Sequence, residues 1–324
     1  MGEWLFEVGI GEDRAALVED GDILEAAIEL PAALRAGAVV AGGLTTILIP
    51  GRRGIVTTDE GVEAVIEPLP GRLTEGVRLR VEVVREALAE AGRDKLAKVR
   101  ATDAPMRSGP SLRERIGGAR EIRGSPDAFE AAGWTELLEQ ARTGELPFPG
   151  GALRMSLTPA MTLFDVDGAL EPAALAVAGA AAAARAIRRL GITGSIGIDL
   201  PTLPARADRL AAAAALDAQL PQPFERSAVN GFGFLQVVRR RERASLPELI
   251  RADAAGAAAR ALLRVAERGG AGPVTLVAAP AVIARLERES GWTQALARRA
   301  GGAVGLQADG QLPMFGGYVH HRQG

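Results

Sequence analysis

Two apolar runs tipped with aspartate, separated by a long alanine-rich stretch, constrain this chain more than any other feature. The first is Leu163-Phe164-Asp165-Val166-Asp167-Gly168 and the second is Ile196-Gly197-Ile198-Asp199-Leu200-Pro201. Residues 172–190 between them have the pattern of a helix, and their alanine content gives it high intrinsic propensity. Strand, helix, strand is a βαβ unit, whose crossover is almost always right-handed and whose strands are parallel. Parallel strands end at the same edge of a sheet. If the two are neighbours, Asp165 and Asp199 emerge side by side, where open α/β sheets place their sites. Asp165 and Asp167 are two apart and share a face of an extended strand. Carboxylates gathered in this way repel one another unless a cation neutralises them. An all-oxygen donor set that leaves room for water suits Mg²⁺ or Mn²⁺.

The residue types that are missing narrow the chemistry further. The 324-residue chain has no cysteine, which excludes disulfides, thiolate nucleophiles and cysteine-based zinc sites. Its two histidines, His320 and His321, lie near the C-terminus, where a solvated tail is the default reading. Catalysis must then rest on carboxylates, Lys, Arg, Ser, Thr or Tyr. The formal net charge of −2 argues against nucleic-acid binding by bulk charge, though not against a local basic groove. The first residues lack the basic start and apolar core of a signal peptide, and the longest apolar stretch, 172–184, is too short to span a bilayer. The expectation is a cytoplasmic protein without a membrane partner.

Along the chain, residues 3–30 read as two strands. Residues 35–86 hold five short strand-like runs, at 37–41, 45–49, 54–58, 62–67 and 77–84. The last alternates, with Val77, Leu79, Val81 and Val83 on one face and Arg78, Arg80 and Glu82 on the other. Five short strands punctuated by Gly and Pro predict a small OB-type barrel, a fold that often binds single-stranded nucleic acid. A helical turn or two is expected over 86–92, followed by a basic cluster of Lys95, Lys98 and Arg100. Residues 102–126 read as a linker, 127–143 as a helix, 144–151 as a Pro/Gly turn and 153–166 as a strand or strand pair. Beyond the second aspartate-tipped strand come a helix over 206–220, a strand over 232–239 and a helix over 247–268. The strand–helix–helix–strand stretch 274–307 and a glycine-rich tail complete the chain.

Several of these blocks resemble the ribonuclease E/ribonuclease G family. Arg14-Ala-Ala-Leu17-Val18-Glu19-Asp20-Gly21 looks like the family's opening strand, and residues 157–167 and Ile196-Gly197-Ile198-Asp199 look like its two catalytic strands. Residues 230–241 look like the strand that follows, and Ala244-Ser245-Leu246 like its end. The resemblance implies a multidomain α+β and α/β chain. An S1 (OB-type) β-barrel is inserted in an RNase H-like segment, and a DNase I-like α/β catalytic subdomain follows. The expected boundaries are 1–34 for the N-terminal strands, 35–100 for the barrel, 101–128 for a linker, 129–246 for the catalytic core and 247–324 for a C-terminal α/β segment.

The resemblance further implies Mg²⁺-dependent cleavage of single-stranded RNA that leaves 5′-phosphate and 3′-hydroxyl ends. Asp165 and Asp199 match the family's metal-holding aspartates, and Asp167 stands where an Asn usually orients the attacking water. Lys95 falls near the position of an RNA-contacting lysine. The chain also departs from the family. The Cys-x-x-Cys zinc link expected after Leu246 is absent, so no zinc and no zinc-linked oligomer is expected. The 5′ sensor interval is short, and Ile55 and the Val65-Ile66 pair take the places of stacking aromatics.

Each candidate has a plainer reading. Aspartates at strand ends also cap loops, Asp167-Gly168 is a turn signal, and basic clusters are mostly solvated faces. Arg239, Arg240, Arg241 and Arg243 are either a surface run or a phosphate-binding patch beside the metal. Phe232 and Phe234 share a strand face, where packing is expected. The favoured expectation is a metal-dependent endoribonuclease. The alternative is a catalytically weak RNA-binding or scaffold protein on a ribonuclease frame. A deoxyribonuclease or a phosphodiesterase acting on small nucleotides is a weaker third.

Overall fold

The computed structural model describes residues 2–89, 94–124 and 126–321. The chain opens with three strands where two were expected: β1 (Glu3–Val8), β2 (Asp13–Glu19) and β3 (Asp22–Glu29). Left-handed turns at Gly11 and at Asp20-Gly21 separate them. The barrel follows with β4 (Val39–Ile49), β5 (Arg53–Thr58), β6 (Glu63–Ile66), β7 (Arg78–Arg85) and β8 (Ala97–Ala101). Two of the expected runs are one long strand, β4, bent by register shifts after Leu44 and Ile47. The fifth barrel strand is supplied instead by the basic stretch around Lys98, whose Ala97 and Val99 point into the core. The expected helical turn over 86–92 lies partly outside the described residues. Within them, Leu88 and Lys95 form an isolated antiparallel bridge.

The expected linker is irregular for most of its length but carries α1 (Leu112–Ile116) and β9 (Arg120–Glu121). The next helix is broken at Gly133 into α2 (Ala128–Ala131), capped by the Asp127 side chain, and α3 (Trp134–Thr143). The expected turn over 144–151 is instead β10 (Glu145–Phe148), hairpin partner of β11 (Gly151–Leu157). Then come β12 (Thr162–Gly168), α4 (Pro172–Arg189), β13 (Gly194–Asp199), α5 (Arg206–Gln219), β14 (Glu225–Arg226) and β15 (Phe234–Arg239). The remainder is α6 (Leu246–Ala252), α7 (Ala254–Arg268), β16 (Val274–Ala278), α8 (Pro280–Arg288), α9 (Ser290–Ala300), β17 (Val304–Ala308) and β18 (Tyr318–His321). The single helix expected over 247–268 is interrupted at Asp253, whose side chain caps α7 through the Gly256 N–H.

The molecule is α+β and has two compact units. One gathers Met1–Pro31, Ile116–Glu136 and Leu249–Gly324, joining segments that the sequence reading kept apart. It holds a four-stranded sheet of order β3-β2-β1-β9, in which β9 runs parallel to β1, and a three-stranded sheet of order β17-β16-β18. Its apolar core packs Leu262, Leu263, Leu276, Val282, Leu286 and Leu296. His320 and His321 are exposed on β18, which pairs with β16 rather than trailing as a free tail.

This unit also encloses a network of charges. Arg14 bonds Glu7 at 2.5 Å and approaches Asp127 at 3.2 Å, and Arg268 reaches both of these acids. Glu12 receives Arg260 at 2.9 Å and also Arg264. The Arg14 guanidinium lies 4.0 Å from the centroid of the Phe129 ring and 4.9 Å from that of Trp134. Burial and the nearby Arg264 charge pull its pKa below the ordinary arginine value.

The other unit, Ala32–Arg115 and Leu137–Glu248, contains the closed barrel β4-β5-β6-β8-β7 and a six-stranded sheet of order β10-β11-β12-β13-β15-β14. Leu44, Val56, Ile66, Val81, Val83 and Val99 fill the barrel. The Glu86 N–H donates to the Glu242 carbonyl, and Arg243 bonds both the Glu86 carboxylate and the Ala36 carbonyl. In the sheet, Phe164, Val166, Ile196, Ile198, Leu235 and Val237 are buried on one face, the face α4 covers. The alternate residues point to the opposite face, where the aspartates lie. No helix among the described residues is long and apolar enough to cross a membrane.

Candidate active site

The βαβ unit forms as the sequence demands. Pro172 starts α4 with its preset backbone angle, and the turn after it closes at Gly191 in the left-handed conformation. Small side chains let α4 approach the sheet closely. A Cβ built on Gly179 would come within 2.4 Å of Val166. Strand β12 is set by a tight turn after β11, in which the Thr158 hydroxyl donates to the Met161 carbonyl and accepts from its N–H.

Strands β12 and β13 are adjacent and parallel, and Asp165 is in register with Asp199. Neighbouring strands lie about 4.8 Å apart, so the two carboxylates stand side by side on one face. Both residues are exposed, and neither has a hydrogen-bond or ion-pair partner among the described residues. The same rung continues in both directions. Glu145 on β10 faces Arg154 on β11, Arg154 faces Asp165, and Asp199 faces Phe234 on β15. Arg154 lies 3.8 Å from Glu145 and 3.7 Å from Asp167. Asp167 is therefore two rungs along the strand on the same face, within ion-pair range of an arginine rather than in register with the pair. It lies inside β12 rather than in a turn. Among the described residues no group of three or more His, Asp or Glu side chains is placed to hold a metal.

The arginine run is not beside this pair. Strand β15 is antiparallel to β13, so Phe234 meets Asp199 while Arg239 meets Gly194 at the far end. Five residues at about 3.3 Å each place Arg239 roughly 16 Å from the carboxylates. Arg239 donates to the Ile192 carbonyl, and Arg241 and Arg243 pair with Glu248 and Glu86. Of the four, only Arg240 is exposed, and it lies 3.2 Å from Glu242. Two members of the expected basic cluster in the barrel are likewise engaged through their side chains. Lys98 pairs with Glu67 at 3.0 Å and Arg100 with Glu82 at 2.6 Å, while the Lys95 backbone bridges to Leu88. The Lys98 contact, together with Arg53, holds the Glu67 carboxyl below its ordinary pKa. The expected stacking positions, Ile55 and Val65, face each other across β5 and β6.

The loop before β15 takes the place beside Asp199 that the arginines were expected to fill. Asn230 Oδ1 accepts from the Phe232 and Phe234 N–H groups at 2.9 and 3.0 Å. Gly233 (φ +94°) accepts at its carbonyl from the N–H of Leu200, the residue after Asp199. Phe232 is 82% exposed and sits in this turn instead of packing on a strand with Phe234. Arg154 and this loop were missed by sequence reasoning. The Asn230-Gly231 pair signalled a turn, but nothing in the sequence set the β11–β12 register.

No protein-family model matches the chain, and no curated protein matches it.

Proposed function

We propose that the protein is a metal-dependent endoribonuclease that cleaves single-stranded RNA. The observation that carries this reading is the in-register pair of exposed, unpartnered carboxylates, Asp165 and Asp199. Two like charges on one rung cost free energy in an empty sheet, and a hard divalent cation removes that cost. An all-oxygen pair open to solvent fits Mg²⁺ or Mn²⁺, which keep several waters. Asp165 and Asp199 would hold the ion, which when bound supplies Lewis-acid stabilisation of phosphate charge and a more acidic water.

The chain's own residues have separate tasks in this reading. Asp167, drawn to Arg154, accepts a hydrogen bond from the attacking water and so orients it. Arg154 balances the charge of the acidic rung and keeps Asp167 directed. The products carry 5′-phosphate and 3′-hydroxyl ends. Two features support the S1, RNase H-like and DNase I-like arrangement: a closed barrel inserted between segments of the first unit, and a β3-β2-β1-β9 sheet whose last pair is parallel. The absence of cysteine leaves no zinc link, so any oligomer forms by other contacts.

The test is cleavage of a fluorescent single-stranded RNA across a Mg²⁺ titration, with the product ends identified. Wild-type protein cleaves only with the metal, and Asp165→Asn or Asp199→Asn lowers the rate by roughly 10²–10³-fold without loss of far-UV circular dichroism. Equal rates in the variants rule the reading out. RNA binding without turnover would instead select a scaffold role.

A further inference from the structure

We propose that Phe232 is the stacking platform for a base of single-stranded RNA beside the Asp165–Asp199 pair, an inference that rests on the ribonuclease reading. The barrel cannot supply such a platform, because residues 35–101 contain no Phe, Trp or Tyr. In the unit that holds the carboxylate pair, Phe148, Phe164, Phe224 and Phe234 are buried or half-buried, and Phe232 is the exposed aromatic. An exposed phenyl ring forfeits about 1.5–3 kcal/mol of burial.

The ring's backbone is also fixed in advance. Asn230 Oδ1 accepts from the N–H groups on both sides of Gly233, and the Gly233 N–H donates to the Asn230 carbonyl at 3.1 Å. Position 233 admits only glycine, since a Cβ there would lie 2.2 Å from the Leu200 carbonyl oxygen. The turn is thereby clamped to the residue that follows Asp199. Phe232 is two residues from Phe234, the register partner of Asp199. Two residues of chain reach at most about 7 Å and paired Cα atoms lie about 5 Å apart, so the Phe232 Cα lies within about 12 Å of that of Asp199, within a nucleotide or two of a phosphate held at the pair. Sequence-tolerant recognition of single-stranded RNA relies on unstacked bases laid against aromatic rings.

The experiment measures binding of a short RNA carrying 2-aminopurine, with Ca²⁺ in place of Mg²⁺ so that the carboxylate pair is neutralised and cleavage is suppressed. Stacking on Phe232 quenches the probe. Phe232→Ala weakens binding ~5–150-fold, the equivalent of about 1–3 kcal/mol, and abolishes the quench. Phe232→Leu behaves like the alanine variant, and Phe232→Trp retains both signals. The side chain is exposed, so the variants fold. Unchanged affinity and quench in Phe232→Ala, or no RNA binding by wild-type protein, overturns the proposal. If wild-type protein cleaves RNA but Phe232→Ala binds normally, this inference alone fails. If the stacking signals hold but no metal-dependent cleavage is found, the nuclease reading fails and Phe232 remains an RNA contact.

Discussion

At the scale of single residues, the protein keeps two kinds of charge apart. Asp165 and Asp199 are exposed and unpartnered, whereas Glu12 is buried between two arginines. Neutralising Glu12 leaves Arg260 and Arg264 without their anion in a desolvated site. Glu12→Gln is therefore expected to cost about 3–5 kcal/mol in urea-induced unfolding. The aspartates are expected to behave oppositely, because Asp165→Asn or Asp199→Asn relieves repulsion and leaves stability unchanged or raised while removing the proposed cleavage. The pair was legible in the sequence because the βαβ rule fixes strand direction and the aspartates end both runs. The place of the arginine run is not legible for a related reason. Residues 232–239 have an unmistakable strand pattern but carry no mark of direction, and an antiparallel β15 sends its exit to the far edge. Phe232 has the two-residue period of a strand-face partner of Phe234, but the strand begins only at Phe234, which leaves Phe232 in the turn.

At the scale of elements, packing distance explains what composition alone does not. Alanine-rich α4 is strongly helical in isolation, and Gly179 is its weak point by propensity. Replacing Gly179 with Ala gains about 1 kcal/mol of propensity, but the new methyl meets Val166 at 2.4 Å. Overpacking costs about 1–3 kcal/mol, so Gly179→Ala is expected to lower the unfolding midpoint. Because Val166 sits between Asp165 and Asp167, the same variant is expected to slow cleavage, and a paired thermal melt and rate measurement checks both effects. Elements with a single strong period were legible, among them α4, α5, β13 and β16. Those that depend on a partner were not. The short strands β10 and β14 exist because β11 and β15 offer them an edge, and β4 reads as two runs because its bulges break the alternation.

At the scale of the whole molecule there are two compact units, and their responses to pH and metal are expected to differ. In the unit built from both ends of the chain, burial raises the Glu267 pKa above its ordinary value, more than Arg299 lowers it. A raised folded pKa means that the folded state holds the proton more tightly than the unfolded state. The stabilisation is full below the unfolded value of about 4.3 and is lost as pH rises through the folded value. Glu267→Gln is therefore expected to be more stable than wild-type protein near neutral pH, with the advantage vanishing in acid, as paired denaturant titrations would show. The unit containing the barrel and the six-stranded sheet carries the proposed chemistry, and its central claim is that Asp165 and Asp199 share one divalent ion. Electron paramagnetic resonance of added Mn²⁺ tests this most directly, because free and bound ion are read separately and Mg²⁺ can compete. The account predicts one bound Mn²⁺ per wild-type chain, displaced by Mg²⁺ and lost in both Asp165→Asn and Asp199→Asn. Mn²⁺ binding that survives either substitution unchanged, or no binding by wild-type protein, would contradict it.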